Sequence, residues 1–223
     1  MKFIGKTRDL SQKTMELFIS IFAALFSVIN PLGTVPVFVG LTTTDNQIQR
    51  NKTSVWTAFN VLVILIISFF AGSYVLDFFG ISLDSLRIAG GLIITTSGFA
   101  LLTGNFTKHK GMKRSSVQAD VEQRSEISLT PLAIPMLAGP GSISLLITLR
   151  QTHDEMKDLW MIVGAICAVS ISVWMILRSS QWIVKGLGAS GINAISRIIG
   201  FIVISIGIEY ICIGAGNWVL SLK

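Results

Sequence analysis

Charge is scarce in this chain. Only 13% of its 223 residues are Asp, Glu, Lys or Arg, against 51% hydrophobic residues and a mean hydropathy of +0.69. That leaves too little polar surface for a soluble domain, so the class is integral membrane. Histidine is rarer still. His109 and His153 both fall in loops, so no imidazole base lies inside an apolar run. With no HExxH and no Walker motif either, the sequence argues against an enzyme. Neither histidine belongs to a ligand cluster, so no metal or other cofactor is expected. Cysteine is limited to Cys167 and Cys212, both inside apolar runs, where they are read as small packing residues and not as a disulfide framework. Period-two alternation of the outer-membrane barrel kind is missing, so the spans are helices.

The apolar runs are about 20 residues long, enough at ~1.5 Å per residue to cross a hydrocarbon core of roughly 30 Å. Six are read: Leu17 to Gly40, Val55 to Phe79, Leu86 to Leu102, Leu129 to Leu149, Leu159 to Leu177 and Ile192 to Trp218. The first follows a basic leader (Lys2, Lys6, Arg8, Lys13) without a small-x-small cleavage site, and is expected to be a retained span and not a signal peptide. A net charge of +6 would suggest nucleic acid in a soluble protein. Here the basic residues lie in loops beside anionic lipid, and no nucleic-acid motif accompanies them. Eight fall on the side of the termini and ten on the other. This small bias puts the central loop in the cytoplasm and both termini outside.

All five prolines, Pro31, Pro36, Pro131, Pro135 and Pro140, fall in the first and fourth runs, mixed with glycine as "PLGTVP" and "PLAIPMLAGPG". The third and sixth runs also correspond: "LRIAGGLIITTSG" from residue 86 aligns on "SRIIGFIVISIGI" from residue 196, pairing Arg87 with Arg197, Gly90 with Gly200 and Ser97 with Gly207. These small residues are expected to let neighbouring helices approach. Asp84 is placed to cap or pair with Arg87, and both arginines are read chiefly as headgroup anchors. The pattern predicts two three-helix repeats, residues 1–104 and 129–223, joined by a polar linker over 105–128. Three spans per repeat is odd, so the second copy is inverted. Inverted repeats with helix breakers at corresponding positions point to an alternating-access transporter with its site near the midplane.

A proline removes its own N–H and blocks the carbonyl four residues earlier. Pro31 should therefore free the carbonyl of Ser27, Pro36 that of Leu32 and Pro140 that of Met136. In hydrocarbon each unmatched group costs several kcal/mol, so a neighbour, water or ligand must meet it. Half-helices beginning at the breaks offer free N–H groups to a carboxylate, and freed carbonyls suit an ammonium group or cation. The candidate substrate-binding residues are Ser27, Asn30, Pro31, Gly33, Thr34, Gly139, Pro140, Gly141 and Ser142; Ser144 lies close by. Glu209, the one acid deep in a span, is a candidate for coupling to a proton or sodium gradient, with a neutral structural role as its alternative.

The stretches "NPLGTVPVF", "FGISLDSLRIAGG", "PLAIPMLAGPGSIS" and "GINAISRIIG" resemble the MarC family of bacterial inner-membrane proteins, whose archaeal relatives include small neutral amino acid transporters. The resemblance covers nearly the whole chain. It implies a multi-pass protein of the inner membrane with six helices, and transport of small neutral solutes such as amino acids. It places the broken-helix motifs on Asn30, Pro31, Gly33, Gly139, Pro140 and Gly141. An accessory or scaffold protein that carries no solute is the alternative.

Overall fold

The computed structural model describes residues 2–42, 45–103 and 137–221. The expected linker over 105–128, the prolines Pro131 and Pro135, Met136 and the start of the fourth run lie outside the described residues. Within them the chain is helical, without strands: α1 (Lys2–Ile29), α2 (Pro31–Leu41), α3 (Gln47–Phe79), α4 (Leu83–Leu102), α5 (Pro140–Thr152), α6 (Met156–Arg178) and α7 (Ser180–Ser221). Five segments are long and apolar enough to cross a membrane: Met15–Val35, Gln47–Phe79, Leu83–Leu102, Met156–Arg178 and Ser190–Ser221. Of the fourth predicted span only its latter part, helix α5, is described.

Local chemistry sets the ends. Asn46 and Gln49 form a reciprocal capping box at the start of α3, the Asn46 Oδ1 accepting from the Gln49 N–H at 2.8 Å and the Gln49 Oε1 from the Asn46 N–H at 3.1 Å. Gly80 closes α3 in the left-handed region (φ 64°), where a side chain would be strained. Ser82 then caps α4 through the Ser85 N–H. Gly188 (φ 64°, ψ 174°) interrupts α7 and separates residues 180–187 from the spanning part.

Two apolar clusters hold the helices together. Leu25 and Ile29 of α1, Leu65 and Phe69 of α3, Leu146 of α5, and Ile166 and Val169 of α6 share a fully buried core. Ile94 and Leu101 of α4 join Val203 of α7 in a second cluster, with Val28 of α1 packed on it. Ile67, Phe78 and Trp160 point outward, as side chains facing lipid should. Cys212 also faces outward, so the packing role expected for it inside the bundle does not hold; Cys167 is half-buried.

The α4–α7 pair is the closest contact between helices. A Cβ added to Gly91 would meet the Gly207 carbonyl oxygen at 2.6 Å, and one on Gly98 would meet the Gly200 oxygen at 2.8 Å. The reverse approaches are as tight, 2.7 Å from Gly207 to the Gly91 oxygen and 2.8 Å from Gly200 to the Gly98 oxygen. Rising numbers in α4 thus meet falling numbers in α7, so the two run antiparallel. Of the small residues expected to let neighbouring helices approach, Gly200 and Gly207 do so here, but on α4 it is Gly91 and Gly98, not Gly90 and Ser97, that face α7, while Gly90 receives the Ser144 side chain of α5.

The Arg87 side chain is 12% exposed and pairs with Asp84 at 3.2 Å. The same Asp84 oxygen accepts from Asn217 Nδ2 of α7 at 3.2 Å. Arg87 thus holds Asp84, as the expected pairing has it, and Asp84 in turn ties the start of α4 to the end of α7; Arg197 is exposed.

Gly91→Val should destabilise the protein by about 1–3 kcal/mol through overpacking, read as a lowered Tm in detergent. Gly186→Ala, where an added Cβ has nothing within 4 Å, should leave Tm unchanged or slightly raised.

Candidate functional site: two interrupted helices

The first break is Asn30. Helix α1 closes with the Asn30 N–H donating to the Phe26 carbonyl at 2.9 Å, and α2 begins at once with Pro31 as its first residue. Between them Asn30 adopts φ 46°, ψ 66°, the one positive φ outside glycine among the described residues. Asparagine tolerates this region better than other side chains because its short amide bonds locally. Here Asn30 Oδ1 accepts from the Gly33 N–H at 3.2 Å, capping α2. Gly33 is required sterically, since a Cβ there would collide with the Asn30 amide nitrogen. The carbonyl of Ser27, which a helix would pair with the residue-31 N–H, faces a proline instead.

The second break is Gly139. Extended at φ −87°, ψ 174°, it precedes Pro140, the first residue of α5, and offers no side-chain cap. Each break is stitched by a hydroxyl from the following turn. Thr34 Oγ1 donates to the Asn30 carbonyl at 3.4 Å, and Ser142 Oγ donates to the Gly139 carbonyl at 2.9 Å. Both hydroxyls keep lone pairs but spend their protons on the backbone.

The two breaks lie close together. A Cβ on Gly141 would sit 3.4 Å from Val28 Cγ1, two residues before Asn30, and 2.9 Å from Ile94 Cγ1 of α4. Ser144 reaches across to the Leu86 carbonyl at 3.3 Å, so α5 is bonded to α4 where Gly90 makes room. Asn30, Thr34 and Ser142 are each at most 1% exposed, and Pro31 and Gly141 are buried with them. Ser27, Gly33 and Gly139 are half-buried, whereas Pro140 is exposed and turns away. Glu209 is exposed on the outer side of α7 and is not brought to the breaks.

At the first break the Asn30 Nδ2 is buried without a hydrogen bond. Such a group costs about 1–3 kcal/mol unless something accepts from it. Thr57 and Thr148 hydroxyls are buried and unpartnered as well, and sequence reading missed both because threonine in an apolar helix carries no distinguishing pattern. It also missed Arg50. Counted from sequence as a loop charge, Arg50 is 7% exposed; its Nη2 donates to the Thr42 and Asp45 carbonyls (2.8 and 3.2 Å) and its Nε to Thr42 Oγ1 at 3.3 Å. It thereby closes the C-terminus of α2, where a cation opposes the helix dipole. The basic residue nine positions beyond the end of α2 was visible, its fold-back was not.

This arrangement defines a multi-pass helical membrane protein whose helices are interrupted inside the core. The chain belongs to the MarC family: the sequence pattern of the MarC family integral membrane proteins matches residues 15–219. It is 36% identical over 205 residues to a UPF0056 membrane protein of Buchnera aphidicola subsp. Schizaphis graminum, covering 92% of this chain and 94% of that one. It is 36% identical to the UPF0056 membrane protein YhcE of Escherichia coli K12 (89% and 91% covered) and 37% identical to the UPF0056 inner membrane protein MarC of Citrobacter koseri (90% and 96% covered). No solved structure matches it. The protein is thus a multi-pass inner-membrane protein, in agreement with the expectation from sequence.

Asn30→Ala should lower stability by about 1–3 kcal/mol, from the lost cap and the left-handed backbone together. Asn30→Gly, which keeps the backbone free, should lose less; thermal unfolding in detergent compares the two.

Proposed function

We propose that this protein is a secondary transporter of a small neutral solute, with amino acids as the substrate class, and that the two interrupted helices hold the solute between them. One observation carries the reading: the first turn of α5 packs at Gly141 against Val28, two residues before the Asn30 break, and the buried Asn30 amide there has an unspent donor. The uncapped first turn of α5 offers backbone N–H groups and the positive end of a helix dipole to a carboxylate. The proline-freed carbonyl of Ser27 suits an ammonium group. Among the described residues no charged side chain lines the breaks, which favours a net-neutral zwitterion over a charged solute. The closed packing around Asn30, Thr34 and Ser142 corresponds to an occluded state, with access alternating to the two sides.

The architecture belongs to the same proposal: six spans in an inverted repeat. A shift of 109 residues takes Pro31 to Pro140, Gly91 to Gly200 and Gly98 to Gly207. It also exchanges the Gly91–Gly207 contact with the Gly98–Gly200 contact, as a two-fold axis in the membrane plane would. The packing of α2 on α7 finds its counterpart in that of α5 on α4. This offset is one residue less than the alignment on Arg87 and Arg197 suggests. The polar segment over 105–128 serves as the linker between repeats. Coupling to protons or sodium is part of the reading, but Glu209, exposed on the outer side of α7, stays outside the solute route.

Purified protein should gain thermal stability with glycine, alanine or serine and not with aspartate or lysine, because a ligand that binds only the folded state adds about 2.7 kcal/mol at 100-fold excess over Kd. Gly141→Leu, whose Cβ alone would meet Ile94 Cγ1 at 2.9 Å and Val28 Cγ1 at 3.4 Å, should force the breaks apart and lose at least 90% of alanine uptake by proteoliposomes, read on the protein that keeps a folded Tm transition. No shift with any amino acid at millimolar concentration, together with no uptake by the unaltered protein, would favour the accessory protein that carries no solute.

A further inference from the structure

Helix α4 is 20 residues long, about 30 Å, the thickness of the hydrocarbon core, so its middle marks the midplane. Residues 91 and 98 lie opposite 207 and 200, which puts the middle of α4 level with residues 205 and 206 of α7. Glu209 is then only about 5–6 Å from the midplane, and its short side chain falls short of a headgroup region that begins roughly 10 Å further out. Glu209 is exposed on the outer side of the fold and, among the described residues, makes no ion pair or hydrogen bond. An acid so placed in lipid needs a partner from outside the fold.

Its surroundings indicate which. Ser205, Glu209, Cys212 and Gly216 follow one another at four, three and four residues, a single stripe along α7, and all four are exposed. Around Gly216 an added Cβ would meet nothing within 4 Å, and the Ser205 hydroxyl is already satisfied by the Phe201 carbonyl at 3.1 Å. Phe201 and Ile208 rise beside the stripe. Only the acid is unmet, in a strip low enough for another backbone to come close.

We propose that a second copy of this chain docks here, α7 against α7 about a two-fold axis along the membrane normal, with the two Glu209 carboxyls hydrogen-bonded to each other. Such an axis puts the same residue of both copies at the same depth, so each acid meets the other. A protonated carboxyl both donates and accepts, which makes the pair self-complementary without any base. The inference is independent of the transported solute.

The test uses purified protein in liposomes, with Cys167→Ser leaving Cys212 as the only thiol. Mild oxidation should yield a disulfide-linked dimer through Cys212 that Cys212→Ser abolishes, while Ile67→Cys in the cysteine-free background, exposed on α3, gives none. Subunit energy transfer should give a dimer whose dissociation constant rises about tenfold in Glu209→Leu and little in Glu209→Gln, whose amide is also self-complementary. Leucine facing lipid leaves the fold intact, checked by an unchanged Tm. A monomer in the bilayer, Cys212 crosslinking no faster than at Ile67→Cys, or a dimer indifferent to Glu209→Leu would each overturn the proposal.

Discussion

In hydrocarbon every backbone N–H and carbonyl needs a partner, and this fold depends on how it meets that demand at two points where a helix cannot. At Asn30 the side chain supplies the cap, glycine at position 33 leaves room for it, and Thr34 ties the carbonyl back. At Gly139 the cap is missing, and only Ser142 stitches the break. Leu25, Ile29, Leu146 and Ile166 of the adjoining helices form a fully buried apolar core. The polar groups left over are therefore few and identifiable, above all the Asn30 amide.

The same demand shapes how the helices brace one another. Helices α4 and α7 touch glycine to glycine along a tight antiparallel seam, reinforced at one end by Asp84, Arg87 and Asn217. Helices α2 and α5, both short, rest against that seam, α2 closed at its far end by Arg50 and α5 bonded near its start by Ser144 to the Leu86 carbonyl. A solute entering between α2 and α5 would meet helix termini on short levers braced by a stiff pair.

Much of this was legible in the sequence. Proline restricted to two runs located both breaks, because a missing N–H inside an apolar helix has few structural uses. The spacing of small residues marked faces of α4 and α7 that neighbours approach closely, but not that they approach each other, and on α4 it took Gly90 and Ser97 where Gly91 and Gly98 make the contact. Arg50 was misassigned because sequence shows that a cation is near a span end, not that its guanidinium folds back onto carbonyls; the pairing of Arg87 with Asp84, three residues apart on one helix, was legible. Pro140 was expected with the site and is exposed, since its role is to start α5 and not to line it.

The central claim is that the paired breaks form a solute site reachable from water. It is tested most directly with single cysteines at Thr34 and Ser142, each in a cysteine-free background, probed in liposomes with a hydrophilic thiol reagent. The account predicts that both react, although they are buried in the closed state, and that alanine slows the reaction at both positions while leaving an outward-facing control unchanged. Complete inertness of both, in protein that folds normally, would mean that the breaks are dry packing and would contradict the account.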